Sequence, residues 1–159
     1  MNIKVGIGYD IHQLVEGRPL ILGGVTIPHE KGLSGHSDAD VLLHSITDAI
    51  LGAAAMGDIG KFFPDTDPEY KGADSMDLLA EIRRTLMYEG YTIGNVDATI
   101  VAEAPNMQAH IDEMRENIAK VLQCDVSDVS VKATTNEKLD SIGHKQAIAV
   151  HSVALIVKG

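Results

Sequence analysis

The sequence predicts an α+β fold in one domain over residues 1–159: a two-layer sandwich with helices packed on one face of a mixed β-sheet. Three observations carry this expectation. Segments that alternate apolar and polar residues interleave with segments of helical periodicity, with no repeat, linker or low-complexity tract between them. A chain of 159 residues buries roughly two-thirds of its unfolded surface, so it needs neither disulfide nor metal merely to fold. Its composition, 45% hydrophobic and 23% charged, is that of a globular protein rather than a disordered one.

Asn2 to His12 alternates through Ile3, Val5, Ile7, Tyr9 and Ile11, which predicts a strand. Pro19 to Ile27 holds two short apolar runs around Gly23-Gly24, a hairpin signal. A Gly-rich loop follows from Pro28 to Ser37. With Asp38 as N-cap, Val41, Leu42, Ser45, Ile46, Ala49 and Ile50 recur at helical spacing up to Met56-Gly57. Asp58 to Gly72 is rich in Gly, Pro and Asp and reads as a long functional loop. A second helix starts after Asp74, with Met76, Leu79, Ile82, Leu86 and Met87 on one face, and stops at Glu89-Gly90. Thr92 to Glu103 is strand-like, and a third helix follows Pro105 through Ile111, Met114, Ile118, Val121 and Leu122. Val129 to Ala133 reads as a strand, Thr134 to Lys145 as a loop, and Ala147 to Val157 as a final strand.

Charge narrows the function. Thirteen Lys and Arg against 23 Asp and Glu leave a net charge of −10, which excludes non-specific binding to nucleic acid or to an anionic membrane. A phosphorylated substrate would therefore need positive charge supplied locally, by a metal or by a few placed cations. The single Cys124 has no intrachain partner. The small apolar stretch Ala49 to Gly57 is too short to span a bilayer. Met1 runs straight into a strand without a basic and apolar leader, so the expected location is cytoplasmic.

Chemistry concentrates in three places. Asp10 and His12, at i and i+2 on a strand, point to the same side. An isolated Asp-x-His is more often a pair of solvated residues, but here a second group changes the odds. Gly35-His36-Ser37-Asp38-Ala39-Asp40 leads into a helix on which Asp40, His44 and Asp48 share a face. The helix dipole disfavours a charged His one turn inside an N-terminus, and a neutral imidazole is what a metal wants. Asp10, His12 and His44 together make an O,N,N set matching a catalytic zinc site with one open position. Asp40 and Asp48 could orient the imidazoles, or simply be a first-turn acid and a solvated residue. Backbone amides around Ser37-Asp38, with His36 beside them, offer an anion site. Thirdly, Lys132-Ala133-Thr134-Thr135-Asn136-Glu137, at a strand end, could bind phosphate and a hard Mg²⁺-type ion. The turn Ala102-Glu103-Ala104-Pro105-Asn106-Met107 by itself reads only as a strand-to-helix connection.

These motifs, together with Asp48-Ala-x-Leu-Gly52, Gly57-Asp58-Ile59-Gly60, Phe63-Pro64-Asp65-Thr66-Asp67 and Gly94-Asn-Val-Asp97, resemble the 2-C-methyl-D-erythritol 2,4-cyclodiphosphate synthase family, in order from about Ile3 to Val157. The resemblance implies a lyase of non-mevalonate isoprenoid biosynthesis that converts 4-diphosphocytidyl-2-C-methyl-D-erythritol 2-phosphate to the 2,4-cyclodiphosphate with release of CMP. It also implies a homotrimer with three interfacial active sites, each with Zn²⁺ and a second Mg²⁺ or Mn²⁺. By position, Asp10, His12 and His44 look like the zinc ligands and Glu137 like the protein ligand of the second metal. His36 and Thr135 match residues that stabilise the transition state. Asp10, His12, Ser37, Asp58, Ile59, Gly60 and Phe63 to Asp67 match the phosphate, ribose and erythritol contacts. Ala102 to Gln108, with Ala133 to Glu137, matches the cytosine and phosphate pocket. The chain departs from the family pattern at Asn106, where Lys is common, Ser141, where an aromatic is common, and His144, where Arg is common; Lys145 could compensate for the last. Two other readings use the same residues. A metal-dependent nucleotide phosphohydrolase would release a linear product. A trimeric binding module with structural zinc would need a fourth protein ligand, for which His36 is the only nearby candidate.

Overall fold

The computed structural model describes residues 1–159. The chain runs β1 (Asn2–Val15), β2 (Leu20–Leu22), β3 (Val25–Ile27), β4 (Gly32–Leu33), α1 (Val41–Ala53), α2 (Ile59–Phe62), α3 (Ser75–Tyr88), β5 (Tyr91–Val101), α4 (Ile111–Leu122), β6 (Val129–Thr134), α5 (Asp140–Gly143) and β7 (Ala147–Lys158). Five strands form one sheet in the order β4-β1-β7-β5-β6, and β2 pairs with β3 in a separate hairpin. All pairings in the large sheet are antiparallel except β5 with β6. It is therefore the expected mixed α+β sheet. No helix is long and apolar enough to cross a membrane.

The strand periodicity sorts the two faces. Gly6 and Gly8 of β1, and Ile148, Val150, Ser152, Ala154 and Ile156 of β7, are buried under the helices. The opposite face of β1 carries Ile3, Val5, Ile7, Tyr9 and Ile11, which are 41% to 74% exposed. Helix α1 is buried nearly all round, every residue except Asp48 and Gly52, because it lies between the sheet and α3. Leu79, Ile82 and Leu86 of α3 and Met114, Ile118 and Leu122 of α4 close the core. Each fully buried Leu or Ile of this set contributes about 1.5–3 kcal/mol.

Helix α1 sits unusually close to β1. A Cβ on Gly8 would lie 1.9 Å from the Ser45 carbonyl oxygen, and one on Gly6 would lie 1.9 Å from that of Ala49. Ser45 Oγ also bonds Ser152 Oγ at 2.7 Å and donates to the Val150 carbonyl at 3.1 Å, tying the helix to β7.

The Gly23-Gly24 hairpin forms as expected. Both glycines have positive φ, 59° and 73°, the geometry that two-residue hairpin turns require. Several other expectations need correction. The first strand continues to Val15, where it pairs with β4, a two-residue strand too short to leave a periodic signal. Met87 points outward and is 47% exposed, and Leu78 takes its place in the core. The loops at 58–72 and 134–145 contain the helical turns α2, Pro68–Tyr70 and α5. The third helix starts only at Ile111, after a 3₁₀ turn at Gln108–His110.

The N-cap of α1 is Asp40, not Asp38. Asp40 is fully buried, and its carboxylate accepts the N–H groups of Leu43 at 3.1 Å, Gly23 at 3.0 Å and Gly24 at 2.9 Å. One side chain therefore caps the helix and holds the hairpin turn. Burial pushes its pKa up to about 6, although the amide bonds pull the other way. A carboxyl raised in the folded state contributes stability fully below its unfolded value of 3.8, and that contribution is lost as pH rises through the folded value.

Two outcomes are expected. Gly8→Ala should lower the urea-unfolding free energy by about 3 kcal/mol or more, since the added methyl meets main chain rather than a flexible side chain. Wild-type protein should lose stability relative to Asp40→Asn between about pH 4 and about pH 7; a constant difference over that range would remove Asp40 as the titrating group.

Candidate active site in two clefts

At the end of β1, Asp10 and His12 point into the helix layer, where α1 presents His44. His12 Nε2 lies 2.9 Å from Asp10 Oδ2, His44 Nδ1 lies 3.3 Å from the same oxygen, and the two nitrogens are 3.4 Å apart. A tetrahedral zinc at ~2.0–2.1 Å from N and O ligands requires them ~3.3 Å from one another, so the triangle fits such an ion with a fourth position open. These three residues form a group that could hold a metal ion. His12 Nδ1 is 2.6 Å from the Ser34 carbonyl. A carbonyl only accepts, so Nδ1 carries a proton, and Nε2 is the nitrogen turned toward the triad, where it hydrogen-bonds Asp10. Burial pushes the Asp10 carboxyl up, but hydrogen bonds and charge from His12 and His44 outweigh it and bring its pKa to about 2. Burial likewise opposes charging His12, yet Asp10 raises its pKa overall.

The triad floors a cleft of about 230 Å³. Of the residues singled out in the sequence, His36, Ser37, Ile59, Gly60, Phe63 and Asp65 line it. His36 Nε2 donates to the Asp67 carbonyl at 2.9 Å, which secures the 63–67 segment against the 35–37 loop. Asp58 caps the short α2 by accepting from Lys61 N at 3.0 Å, and Asp67 caps the next turn by accepting from Glu69 N. Pro64 and Thr66 lie in the turn between them.

A second cleft, of about 300 Å³, opens where β5 and β6 end. It is lined by Ala102, Glu103, Pro105 to Gln108, and Ala133 to Thr135. It shares no residue with the first. The turn into it carries a cis Ala104–Pro105 bond. Glu103 Oε1 accepts from the N–H groups of Asn136 at 3.1 Å and Lys138 at 3.2 Å. Those two bonds restrain a loop in which Glu137, Lys138 and Asp140 all have positive φ, a costly conformation for side-chain-bearing residues. Glu137 is exposed and is not part of the triad group. Beyond it, Lys138, His144 and Lys145 border a shallow hollow of about 540 Å³ together with Glu103. Ser141 is exposed on α5.

Several orienting roles differ from the expectation. Asp40 does not touch the imidazoles because it is occupied by the hairpin amides. Asp48 accepts from Ile59 N at 2.7 Å and so holds α2, not His44. The amides of Asp38, Ala39 and Asp40 are bonded to Ala73 O, Ser37 Oγ and Asp38 Oδ1, so of the expected anion site only the His36–Ser37 end borders the cleft. Sequence reasoning passed over Arg18, whose guanidinium donates to the carbonyls of Gly35 at 2.7 Å and Ser37 at 2.8 Å. It also passed over Tyr70 and Leu78 in the cleft wall, and over Ser75, which lies 2.9 Å from His44 Nε2. Ser75 opens a helix whose start was legible, but nothing in the spacing places that helix against His44.

Comparison with known proteins places these clefts in context. The profile of the YgbB family matches residues 3–157. The chain is 60% identical to the 2-C-methyl-D-erythritol 2,4-cyclodiphosphate synthase of Chloroherpeton thalassium, over 98% of this chain and 99% of that protein. Among solved structures, the bifunctional IspDF of Campylobacter jejuni superposes with a TM-score of 0.94 at 45% identity; it covers 98% of this chain, which spans 42% of that longer one. The CDP complex of IspF from Plasmodium falciparum superposes with a TM-score of 0.86 at 38% identity, over 99% of this chain and 98% of that one.

His44→Ala should abolish stoichiometric uptake of a divalent ion, read by metal analysis after dialysis. Retained metal would place the centre elsewhere.

Proposed function

The chain belongs to the YgbB family, and from that premise we propose that it is a 2-C-methyl-D-erythritol 2,4-cyclodiphosphate synthase of the non-mevalonate isoprenoid route. The observation that carries the proposal is the Asp10–His12–His44 triangle at the floor of the first cleft, in a chain 57% to 60% identical to synthases of that name. In the reaction, an oxygen of the substrate's 2-phosphate bonds to the phosphorus attached at O4. The bond from that phosphorus to the CMP phosphate breaks, and CMP leaves with the electron pair. The nucleophile is already an anion, so no side chain need remove a proton.

Charge and geometry are then what the protein must manage. Asp10, His12 and His44 would hold Zn²⁺, and Glu137 would contribute to a Mg²⁺ or Mn²⁺ site. Bound there, the two cations supply Lewis-acid stabilisation of charge on the diphosphate. The chain's own residues orient. The 58–67 segment, fixed by His36 on Asp67 O and by Asp48 on Ile59 N, walls the erythritol end. The Ala102–Gln108 turn and Ala133–Thr135 would receive cytosine, and Asp58 and Gly60 the ribose; that the ligand is of the cytidine diphosphate type is supported by the CDP complex of the similar Plasmodium falciparum protein. His36 and Thr135 are assigned to stabilising the transition state. Holding nucleophile and leaving group in line contributes through orientation.

The assembly we propose is a homotrimer in the cytoplasm, with each active site completed between neighbours. Two features support it. The triad cleft and the cleft that holds Thr135 are separate on one chain, although both lie at the same end of the sheet. The outer face of β1, with Val153 of β7 beside it, presents apolar side chains that a second copy would cover.

³¹P NMR of the protein with the diphosphocytidyl substrate and Mg²⁺ tests the activity. Release of CMP with two coupled cyclic-diphosphate signals is expected. A linear product would replace the cyclase by a hydrolase, and no turnover by metal-loaded protein would mean that Asn106, Ser141 and His144 mark a different substrate. Glu137→Ala should raise the Mg²⁺ concentration needed for half-maximal rate while zinc stays bound; an unchanged Mg²⁺ requirement would remove Glu137 from that site.

A further inference from the structure

Behind His44, on the side away from the triad, its Nε2 faces two hydroxyls: Ser75 Oγ at 2.9 Å and Ser37 Oγ at 3.2 Å. Ser75 Oγ in turn donates to Asp38 Oδ1, and Asp38 Oδ2 accepts the Ser75 backbone N–H at 3.0 Å. Ser75 is 1% exposed and His44 9%, so these bonds are formed out of water.

The direction of each bond follows from what the groups can do. An ionised carboxylate only accepts, so the Ser75 hydroxyl proton must point at Asp38. Ser75 Oγ then has only lone pairs left for His44. His44 Nε2 must therefore carry a ring proton, so Nδ1, the nitrogen 3.3 Å from Asp10 and 3.4 Å from His12, is the one whose lone pair a metal at the triad would take. We propose that Asp38 and Ser75 are positioning residues that select the tautomer and ring orientation of His44 for metal binding. The N-terminus of α3 thereby acts as the back wall of the metal centre. Arrays of carboxylate and imidazole behind a metal ligand raise its basicity and hold its plane; here a serine hydroxyl is interposed between the two. Ser37 provides a second, longer contact and is itself occupied by Ala39 N at 3.2 Å.

The proposal rests on the reading of Asp10, His12 and His44 as a metal site. Zinc affinity, measured by competition with a chromophoric chelator, tests it on three variants. Ser75→Ala removes the hydroxyl but keeps the backbone bond to Asp38, so it cuts the relay without uncapping α3. It should weaken zinc binding about tenfold or more. Asp38→Asn presents an amide donor to Ser75, which frees the hydroxyl proton to turn toward His44, and should weaken binding at least as much. Both should also perturb the visible spectrum of the cobalt-substituted protein. Asp74→Ala is the control: Asp74 caps α3 through Met76 N at 2.9 Å without touching the relay. It should lower the melting temperature and leave zinc affinity unchanged. Wild-type affinity in Ser75→Ala and Asp38→Asn, while wild-type protein binds one zinc, would overturn the proposal alone. Wild-type protein that takes up no stoichiometric zinc would overturn the metal reading and the proposal with it.

Discussion

At Gly6 and Gly8, β1 offers no side chain toward α1, and the carbonyls of Ala49 and Ser45 occupy the room a Cβ would need. The contact puts helix main chain directly against strand main chain. His44 lies one residue before Ser45 on that helix, and Asp10 lies two residues after Gly8 on that strand. The same approach that packs the core therefore brings an imidazole from the helix within 3.3 Å of a carboxylate from the strand. A bulkier residue at either glycine would move the helix out by more than a metal–ligand bond can follow, so packing density and ligand geometry are one constraint.

Hydrogen-bond direction completes what packing starts. Each imidazole of the triad has its rear nitrogen placed against an acceptor, a carbonyl for His12 and a serine hydroxyl for His44. The front nitrogens of both rings converge on Asp10, and theirs are the lone pairs that a metal there would take. Carboxylates elsewhere in the site bind backbone amides instead: Asp40 at the hairpin, Asp48 at α2 and Glu103 at the 136–138 loop. A chain of net charge −10 can face a polyanion because several of its acids near the clefts are committed to backbone, and because a cation held by Asp10, His12 and His44 would supply positive charge.

The two clefts are separate on one chain and differ in what they offer. The first provides the ligand triangle and the wall formed by the 58–67 segment; the second provides the turn at 102–108 and the loop held by Glu103. Both lie at one end of the sheet because β1 and β5 each run antiparallel to β7 and so point the same way. The apolar outer face of β1 makes contact with further copies favourable on the side the helices leave bare.

Much of this was legible in residue order. Alternation in β1, β5 and β7 and the period of α1, α3 and α4 follow from local geometry, and so does the Gly23-Gly24 turn, since only φ > 0 closes it. Asp10 and His12 share a strand face by the two-residue repeat, and His44 carried its own signal at a helix start. Residue order therefore sufficed for the long strands and helices, the α+β class and the grouping of Asp10, His12 and His44, but not for the short β4, α2 and α5. Other features depend on contacts between segments far apart in the chain. Asp40 rather than Asp38 caps α1 because Gly23 and Gly24 fold back onto it, and Asp38 is drawn instead to Ser75, 37 positions away. Asp48 serves α2 and Arg18 braces the 35–37 loop for the same reason. Periodicity reports which face a residue takes on its own element, whereas the partner a polar side chain finds is set by which other element packs opposite it in the folded chain.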